Sequence, residues 1–252
     1  MTFEAWLTAI GLPSAAQAVA MQPVPDLEQW RQLAADEPAF LARLAGQPAL
    51  ALQVFAQLLY GEQAHYATTA EWVADGRDIA IWAADYTQKQ GGIGVTENDW
   101  LRFTLVHQVV RLGRLQFEPW QPTTVLGPLA AGTQALQVHI PADGPLSPVA
   151  CDEAFALAQA RFGQLPLVCD SWLMSPALQA LLPATSNIRQ FQNRFQVVTV
   201  DPAAHQAEER LFGAWQADPA QYTAHTALQK RAKAWLQAGK QIGMAVGVML
   251  PA

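Results

Sequence analysis

Apolar residues recur every three to four positions through the first 90 residues, in short segments separated by proline and glycine. This period is typical of amphipathic helices. Thr2 and Asp26 lie where N-caps belong, and Pro38 lies in a first turn. The pattern predicts helices over the segments 2–12, 26–35, 37–46, 47–63 and 69–88, with ends near Gly11, Gly46 and Gly61.

A glycine-rich tract at 91–94, GGIG, interrupts this pattern. Thr96, Glu97 and Asp99 then provide the polar and acidic residues that favour a helix start, and the predicted helix covers 96–110. We therefore predict a helical N-terminal domain over residues 1–95 and a second domain over 96–252.

Beyond that helix the period changes to two. The segments RLGRLQFE (111–118) and ALQVHIP (135–141) alternate in polarity, and the stretch between them is rich in proline, glycine and threonine. They are predicted to be paired antiparallel strands. The rest predicts helices at 147–162, 178–195, 205–213 and 226–239 and strands at 165–174, 196–200 and 242–250. This order indicates an α+β or α/β domain with a mixed sheet.

Composition narrows the class of protein. Charged residues make up 14% of the chain, with 21 acidic against 15 basic, which argues against nucleic acid or an anionic membrane as a partner. The N-terminus lacks the features of a signal peptide, and no apolar run is long enough to span a bilayer, so a cytoplasmic location is expected. Neither the two cysteines nor the histidines show the spacing of metal ligands, and no metal site is predicted.

The two alternating strands place polar side chains on one sheet face. By the period-two rule this face holds Arg114, Gln116, Glu118, Gln137 and His139. Glu118 and His139 are candidate catalytic acid–base groups, and the other three are candidate substrate-positioning groups. The alternative is a face that is solvated or covered by the N-terminal helices.

A strand, a short loop and a helix follow one another at 135–162. Ser147 is a good N-cap and Pro148 falls at the first helical position. Free backbone N–H groups at such a helix start can bind a phosphate, as in a nucleotide or coenzyme A. Acidic residues in the same region, among them Asp143, also fit ordinary helix capping, so both interpretations stay open.

The motif order carries a family resemblance. RLGRLQFE, VHIPADGPL, CDSWLMSPAL, SNIRQFQNRF and TALQK resemble the bacterial acyltransferase-domain proteins that join a helical GNAT-like N-terminal domain to a GNAT-like C-terminal domain. The resemblance implies an acyl-coenzyme A cosubstrate, such as acetyl-CoA, with ALQVHIP as the strand beside which pantetheine lies. The residues implied to bind the cosubstrate are His139, Ile140, Pro141, Asp143, Gly144, Leu146 and Ser147.

Two motifs depart from the family pattern. Where GNAT enzymes have an Arg/Gln-x-x-Gly-x-Gly/Ala loop, this chain has Ala-Asp-Gly-Pro-Leu at 142–146. Asn187 matches the family's Asn, but Arg194 and Phe195 stand where a tyrosine acid is expected. Asn187 and Ser171 are further candidate substrate-positioning residues.

The sequence thus predicts an acyl-CoA-dependent N-acyltransferase. An amine of a small molecule or peptide would attack the thioester directly in a ternary complex, since no cysteine is placed as a covalent relay. One alternative is a non-catalytic GNAT-derived module that binds a small ligand or a protein partner. Another is that the helical half is a docking surface for a second protein.

Overall fold

The computed structural model describes residues 1–251, which form two compact units. The first unit comprises Met1–Gln116 with Pro141–Asp143, and the second comprises Phe117–Ile140 and the chain from Gly144 onward. Internal contacts group the chain up to Gln116 with the helices. The domain boundary near residue 95 stays a prediction.

The first unit is mainly helical. Its elements are α1 Phe3–Ala9, α2 Ser14–Ala20, α3 Leu27–Leu33, α4 Glu37–Leu44, α5 Pro48–Gly61, a 3₁₀ turn Gln63–His65, α6 Thr69–Gln90, α7 Asn98–Leu105 and the short strand β1 Val110–Leu112. All the predicted helical segments contain a helix, and α2 was not predicted.

The two N-caps predicted in the first unit, Thr2 and Asp26, differ in their hydrogen bonding. The Thr2 side chain accepts a hydrogen bond from the Ala5 backbone N–H at 3.2 Å, as an N-cap does. Asp26 occupies the N-cap position of α3, but its backbone is left-handed, with φ of 52°, and its side chain makes no capping bond. The predicted N-cap position of Asp26 is therefore confirmed, but its side chain does not cap the helix.

The core of the first unit is aromatic. Trp6, Phe40, Phe55 and Trp72 are all buried, and the Trp6 and Trp72 rings stack 5.3 Å apart. These aromatic side chains therefore pack together in the core of the first unit. Trp72 also donates its indole N–H to the carbonyl of Leu59 at 2.9 Å, so its one polar atom has a partner inside the core.

The second unit combines strands and helices. Its elements are β2 Leu115–Trp120, which begins in the first unit, β3 Ala135–His139, α8 Pro148–Phe162, β4 Leu167–Ser171, a 3₁₀ turn Trp172–Met174, α9 Leu178–Leu181, α10 Asn187–Gln192, β5 Gln196–Asp201, α11 Gln206–Phe212, a 3₁₀ turn Pro219–Gln221, α12 Ala227–Gln237 and β6 Met244–Met249.

The strands form one mixed sheet in the order β1-β2-β3-β4-β6-β5. β3 and β4 are parallel, whereas β6 is antiparallel to both β4 and β5. The predicted fold class, a helical N-terminal part followed by a mixed-sheet α+β domain, is confirmed. None of the described helices has the length and apolar character needed to cross a membrane.

Four predicted elements were wrong in extent. The strand predicted over 165–174 ends at Ser171, where a 3₁₀ turn follows. RLGRLQFE is the end of β1, a turn at Gly113–Arg114 and the start of β2, because Gly113 adopts a positive φ of 63° that reverses the chain. The helix predicted over 178–195 is two helices, because Pro183 restricts Leu182 to an extended conformation. The helix predicted over 96–110 ends at Leu105.

Candidate functional site

Sheet register places two titratable side chains next to each other in the second unit. Gln137 of β3 pairs with Val168 of the parallel strand β4. Side chains alternate between faces along a strand, so His139 and Asp170, each two residues further on, lie side by side on that same face. Val246 of β6 pairs with Asp170 and extends the face.

Glu118 of β2 contacts the same imidazole. Its carboxylate Oε2 lies 3.0 Å from Nε2 of His139, and the two side chains are 11% and 25% exposed. Such a carboxylate orients an imidazole and stabilises its protonated form. The pairing of these two predicted catalytic residues on one face is therefore present in the structure.

Asp170 is the residue that sequence reasoning missed at this site. The pKa of its carboxyl is raised, first by burial and then by the nearby negative charge of Asp201, while His139 acts in the opposite direction. The period-two rule could have placed Asp170 on a face with Val168. Nothing in the sequence, however, identified β3 as the neighbour of β4.

A shallow cleft of about 160 Å³ opens on this face. Its wall combines apolar side chains with a few polar groups, which is a usual composition for a small-molecule site. Gln137, a predicted substrate-positioning residue, lies in this lining. The lining residues are Trp120, Pro122, Thr123, Thr124, Leu126, Gln137, Val168, Asp170 and Val246.

Gln116 lies elsewhere, inside the first unit. It is 2% exposed, and its side-chain amide donates to Asp78 Oδ2 at 2.6 Å. Trp100 donates its indole N–H to the same oxygen at 2.9 Å. Burial raises the pKa of Asp78, an effect that these two donors oppose. The side-chain amide of Gln116 is thus hydrogen-bonded to Asp78 inside the protein. This placement does not support the predicted role of Gln116 in positioning a substrate.

Arg114 and Asp143 also pair within the first unit. Nη2 of Arg111 donates to both carboxylate oxygens of Asp143, at 2.9 and 2.7 Å, and Nη1 of Arg114 lies 3.7 Å from the same carboxylate. Asp143 was predicted to lie in a phosphate-binding loop. Its negative charge is offset by two guanidinium groups, so Asp143 repels an anion at this loop less than an unpaired carboxylate would.

The start of α8 is capped as predicted. Ser147 Oγ accepts a hydrogen bond from the Ala150 N–H at 3.3 Å. The preceding residue, Leu146, is buried. Gly144 has a φ of 155°, which L side chains rarely adopt, and no described atom lies within 4 Å of the point where its Cβ would be. The space beside Gly144, where a side chain would lie, is therefore empty.

The remaining predicted residues lie at different places, Ser171, Asn187 and Ile140 in the second unit and Pro141 in the first. Ser171 Oγ accepts from the Leu173 N–H at 3.1 Å, and strand alternation directs Ser171 away from the face that holds Asp170. Asn187 begins α10 and is not among the cleft-lining residues. Ile140 directly follows β3 and is half-buried, while Pro141 is buried.

Comparison with known proteins relates this fold to described families. A family model described as "GNAT-like C-terminal domain" matches residues 109–249, more than half of the chain. Among curated proteins, none matches the sequence at a significant level.

Several solved structures share the fold over 98% of this chain and 86% of theirs. One is an acyltransferase in complex with decanoyl-CoA and teicoplanin, with a TM-score of 0.78 and 21% identity. Another is an acyltransferase mutant in complex with octanoyl-CoA, with a TM-score of 0.77 and 20% identity. A third is an acyltransferase in complex with CoA and 10C-teicoplanin, also with a TM-score of 0.77 and 20% identity.

Proposed function

Since this chain belongs to the family of proteins with a GNAT-like C-terminal domain, we propose that it is an acyl-CoA-dependent acyltransferase that acylates an amine. The observation that carries the proposal is the Glu118–His139 pair, 3.0 Å apart on the sheet face that also bears the cleft. A positioned imidazole with a carboxylate partner is suited to proton transfer during acyl transfer.

The reaction follows from these two side chains. The amine nitrogen attacks the thioester carbonyl, a C–N bond forms, and the C–S bond breaks as the coenzyme A thiolate leaves. His139 takes the proton that the amine loses, and Glu118 stabilises the resulting imidazolium. Solvent water supplies the proton that the thiolate needs. Cys151 and Cys169 are both buried, which supports direct transfer without a cysteine relay.

The cosubstrate is proposed to lie along the C-terminal end of β3. The chain at 139–141, which continues directly from β3, is proposed to lie beside pantetheine, and the backbone N–H groups at the start of α8, near the empty space beside Gly144, are suited to phosphate. Apolar side chains of Trp120, Leu126 and Val168 in the cleft wall favour an acyl chain longer than acetyl. The similar structures that contain octanoyl- and decanoyl-CoA support that preference.

The acceptor is proposed to be an amine of a small molecule or peptide. Structures of the same fold contain teicoplanin as a second molecule, which supports a sizeable organic acceptor. The negative charges of Asp170 and Glu118 on the cleft face favour a cationic group such as an ammonium.

A second candidate, a non-catalytic module, is favoured by one observation. Arg194, at the position where the family has its tyrosine acid, donates two hydrogen bonds to Asp152 Oδ1, at 3.0 and 2.7 Å. The Arg194 side chain therefore forms an ion pair with Asp152 of α8.

The third alternative, docking by the helices, has little support, because Met1 and Met21 are the exposed large apolar side chains among the described residues of the first unit.

Calorimetric titration with coenzyme A, acetyl-CoA and decanoyl-CoA tests the proposal. We expect a Kd of about 10 µM or tighter for decanoyl-CoA, and weaker binding of acetyl-CoA because less apolar surface is buried. No binding at millimolar ligand would contradict the acyltransferase function. Binding without turnover of any amine in a screen would favour the non-catalytic module.

A matched pair of glycine variants tests the loop. Gly144→Val is expected to weaken coenzyme A binding about tenfold or more, which corresponds to ~1.4 kcal/mol, because a side chain would fill the space open to the phosphate. Gly163 is the C-cap of the same helix. It also has a positive φ, and no described atom lies within 4 Å of the position that a Cβ would take. Gly163→Val therefore imposes similar backbone strain and should leave the affinity unchanged. Equal effects of both variants would contradict the proposed phosphate site.

A further inference from the structure

Three side chains of types that can bind a metal meet in the first unit, two of them close in sequence and the third more than forty residues further along the chain. Glu62 follows α5, His65 ends the 3₁₀ turn and His107 lies in the turn after α7. One oxygen or nitrogen of each lies within 4.8 Å of the others. Glu62 Oε2 is 2.7 Å from His65 Nδ1 and 3.6 Å from His107 Nε2, and the imidazole rings are 5.1 Å apart.

The carboxylate in this cluster is held in place from the opposite side. Arg31 Nε donates to Oε1 of Glu62 at 3.2 Å, which leaves Oε2 directed at the two imidazoles. The positive charge of Arg31 is shared with Glu28, which lies 2.8 Å away. The Glu62 side chain is 12% exposed, so its orientation is constrained by surrounding protein.

His107 is also constrained. Its backbone has φ of 58°, a left-handed conformation that is uncommon for a residue other than glycine. The ring of Tyr66 packs edge-on against its imidazole at 5.5 Å. Together these features direct Nε2 of His107 toward Glu62 from the turn after α7.

We propose that Glu62, His65 and His107 form a zinc-binding site. Two imidazoles and one carboxylate are the ligand set of zinc sites that keep a fourth position open, whereas calcium and magnesium prefer oxygen ligands only. The side chains of His65 and His107 are 62% and 36% exposed, so an ion can enter from solvent and water can complete the coordination.

A bound ion would connect distant parts of the first unit. It would join the end of α5 to the turn after α7, and so close the long chain segment from 62 to 107 with a cross-link. A ligand that binds only the folded protein stabilises it, so zinc should raise the melting temperature. The site involves none of the residues proposed for acyl transfer and does not depend on that function.

Titration of the chelator-treated full-length protein with zinc tests the proposal. We expect one ion per chain and a Kd of about 10 µM or tighter. Cobalt, used as a coloured substitute, should show the visible absorption of a four-coordinate site. The double variant His65→Ala/His107→Ala should weaken zinc binding about 100-fold or more and abolish both the cobalt spectrum and the rise in melting temperature.

The control is a pair of histidines in the second unit. His205 lies 3.8 Å from Glu208 in a single His–Glu pair with the same i,i+3 spacing as Glu62 and His65. His225 is exposed. The double variant His205→Ala/His225→Ala should bind zinc with the same affinity as the unmodified protein. If the His65/His107 variant fails to fold, the single change at the exposed His65 provides the same comparison. Absence of saturable zinc binding, or equal binding by both double variants, would overturn the proposal.

Discussion

Replacing His139 with alanine is expected to lower the rate of acyl transfer by about 100- to 10,000-fold, the usual contribution of a general acid–base group. The imidazole lies 3.0 Å from Glu118 and is the proposed acceptor of the amine proton. The change removes a half-buried side chain from the end of a strand, so the fold and the affinity for coenzyme A should persist. Release of free thiol from an acyl-CoA donor, followed in the presence of amine acceptors, measures the rate.

Two further variants separate catalysis from structure. Glu118→Gln preserves volume and hydrogen bonding but removes the charge that stabilises the imidazolium, so kcat should fall while KM for the acyl-CoA changes little. His225→Ala removes an exposed imidazole of the second unit and should leave the rate unchanged. Unchanged turnover in both His139→Ala and Glu118→Gln would remove this pair from the mechanism.

Replacing Trp72 with alanine is expected to lower the free energy of unfolding by about 3–5 kcal/mol, the usual cost of removing a large aromatic side chain from a core. Trp72 is 0% exposed and stacks on Trp6. The change also leaves the Leu59 carbonyl without the hydrogen bond that the indole N–H provides. Denaturant unfolding followed by circular dichroism measures the loss.

The matched control is the same substitution at a surface tryptophan. Trp215 is 47% exposed and contacts the His205 ring at 4.7 Å. Trp215→Ala should therefore change the free energy of unfolding by only about 0.5 kcal/mol. Similar losses for the two variants would show that the indole of Trp72 does not stabilise the core as proposed.

Buried polar partners limited what the sequence could predict about the site. The period-two rule correctly placed Gln116 and Glu118 on the same face of one strand. It could not show that Asp78, a residue of α6, accepts a hydrogen bond from Gln116 and takes it out of reach of a ligand. A polar position in a strand has the same pattern in both cases, because the pattern does not record which distant residue covers it.

The sequence by itself determined the elements whose signals are local. Helical periodicity and capping residues such as Thr2 and Ser147 placed most helices, and alternation in ALQVHIP placed β3 with His139 on the polar face. These properties depend on neighbours three or four positions away, or on a side chain and the backbone beside it, so a single stretch of chain contains the information.

Only the tertiary structure decided which distant residues meet. The parallel pairing of β3 with β4 brought Asp170 beside His139, and the turn after α7 brought His107 to Glu62 and His65. Both contacts require long loops to close, and the free energy for closure comes from burial of apolar surface elsewhere in each unit. Because that energy is spread over the core, the residues that finally make contact carry no signal of it in their own sequence.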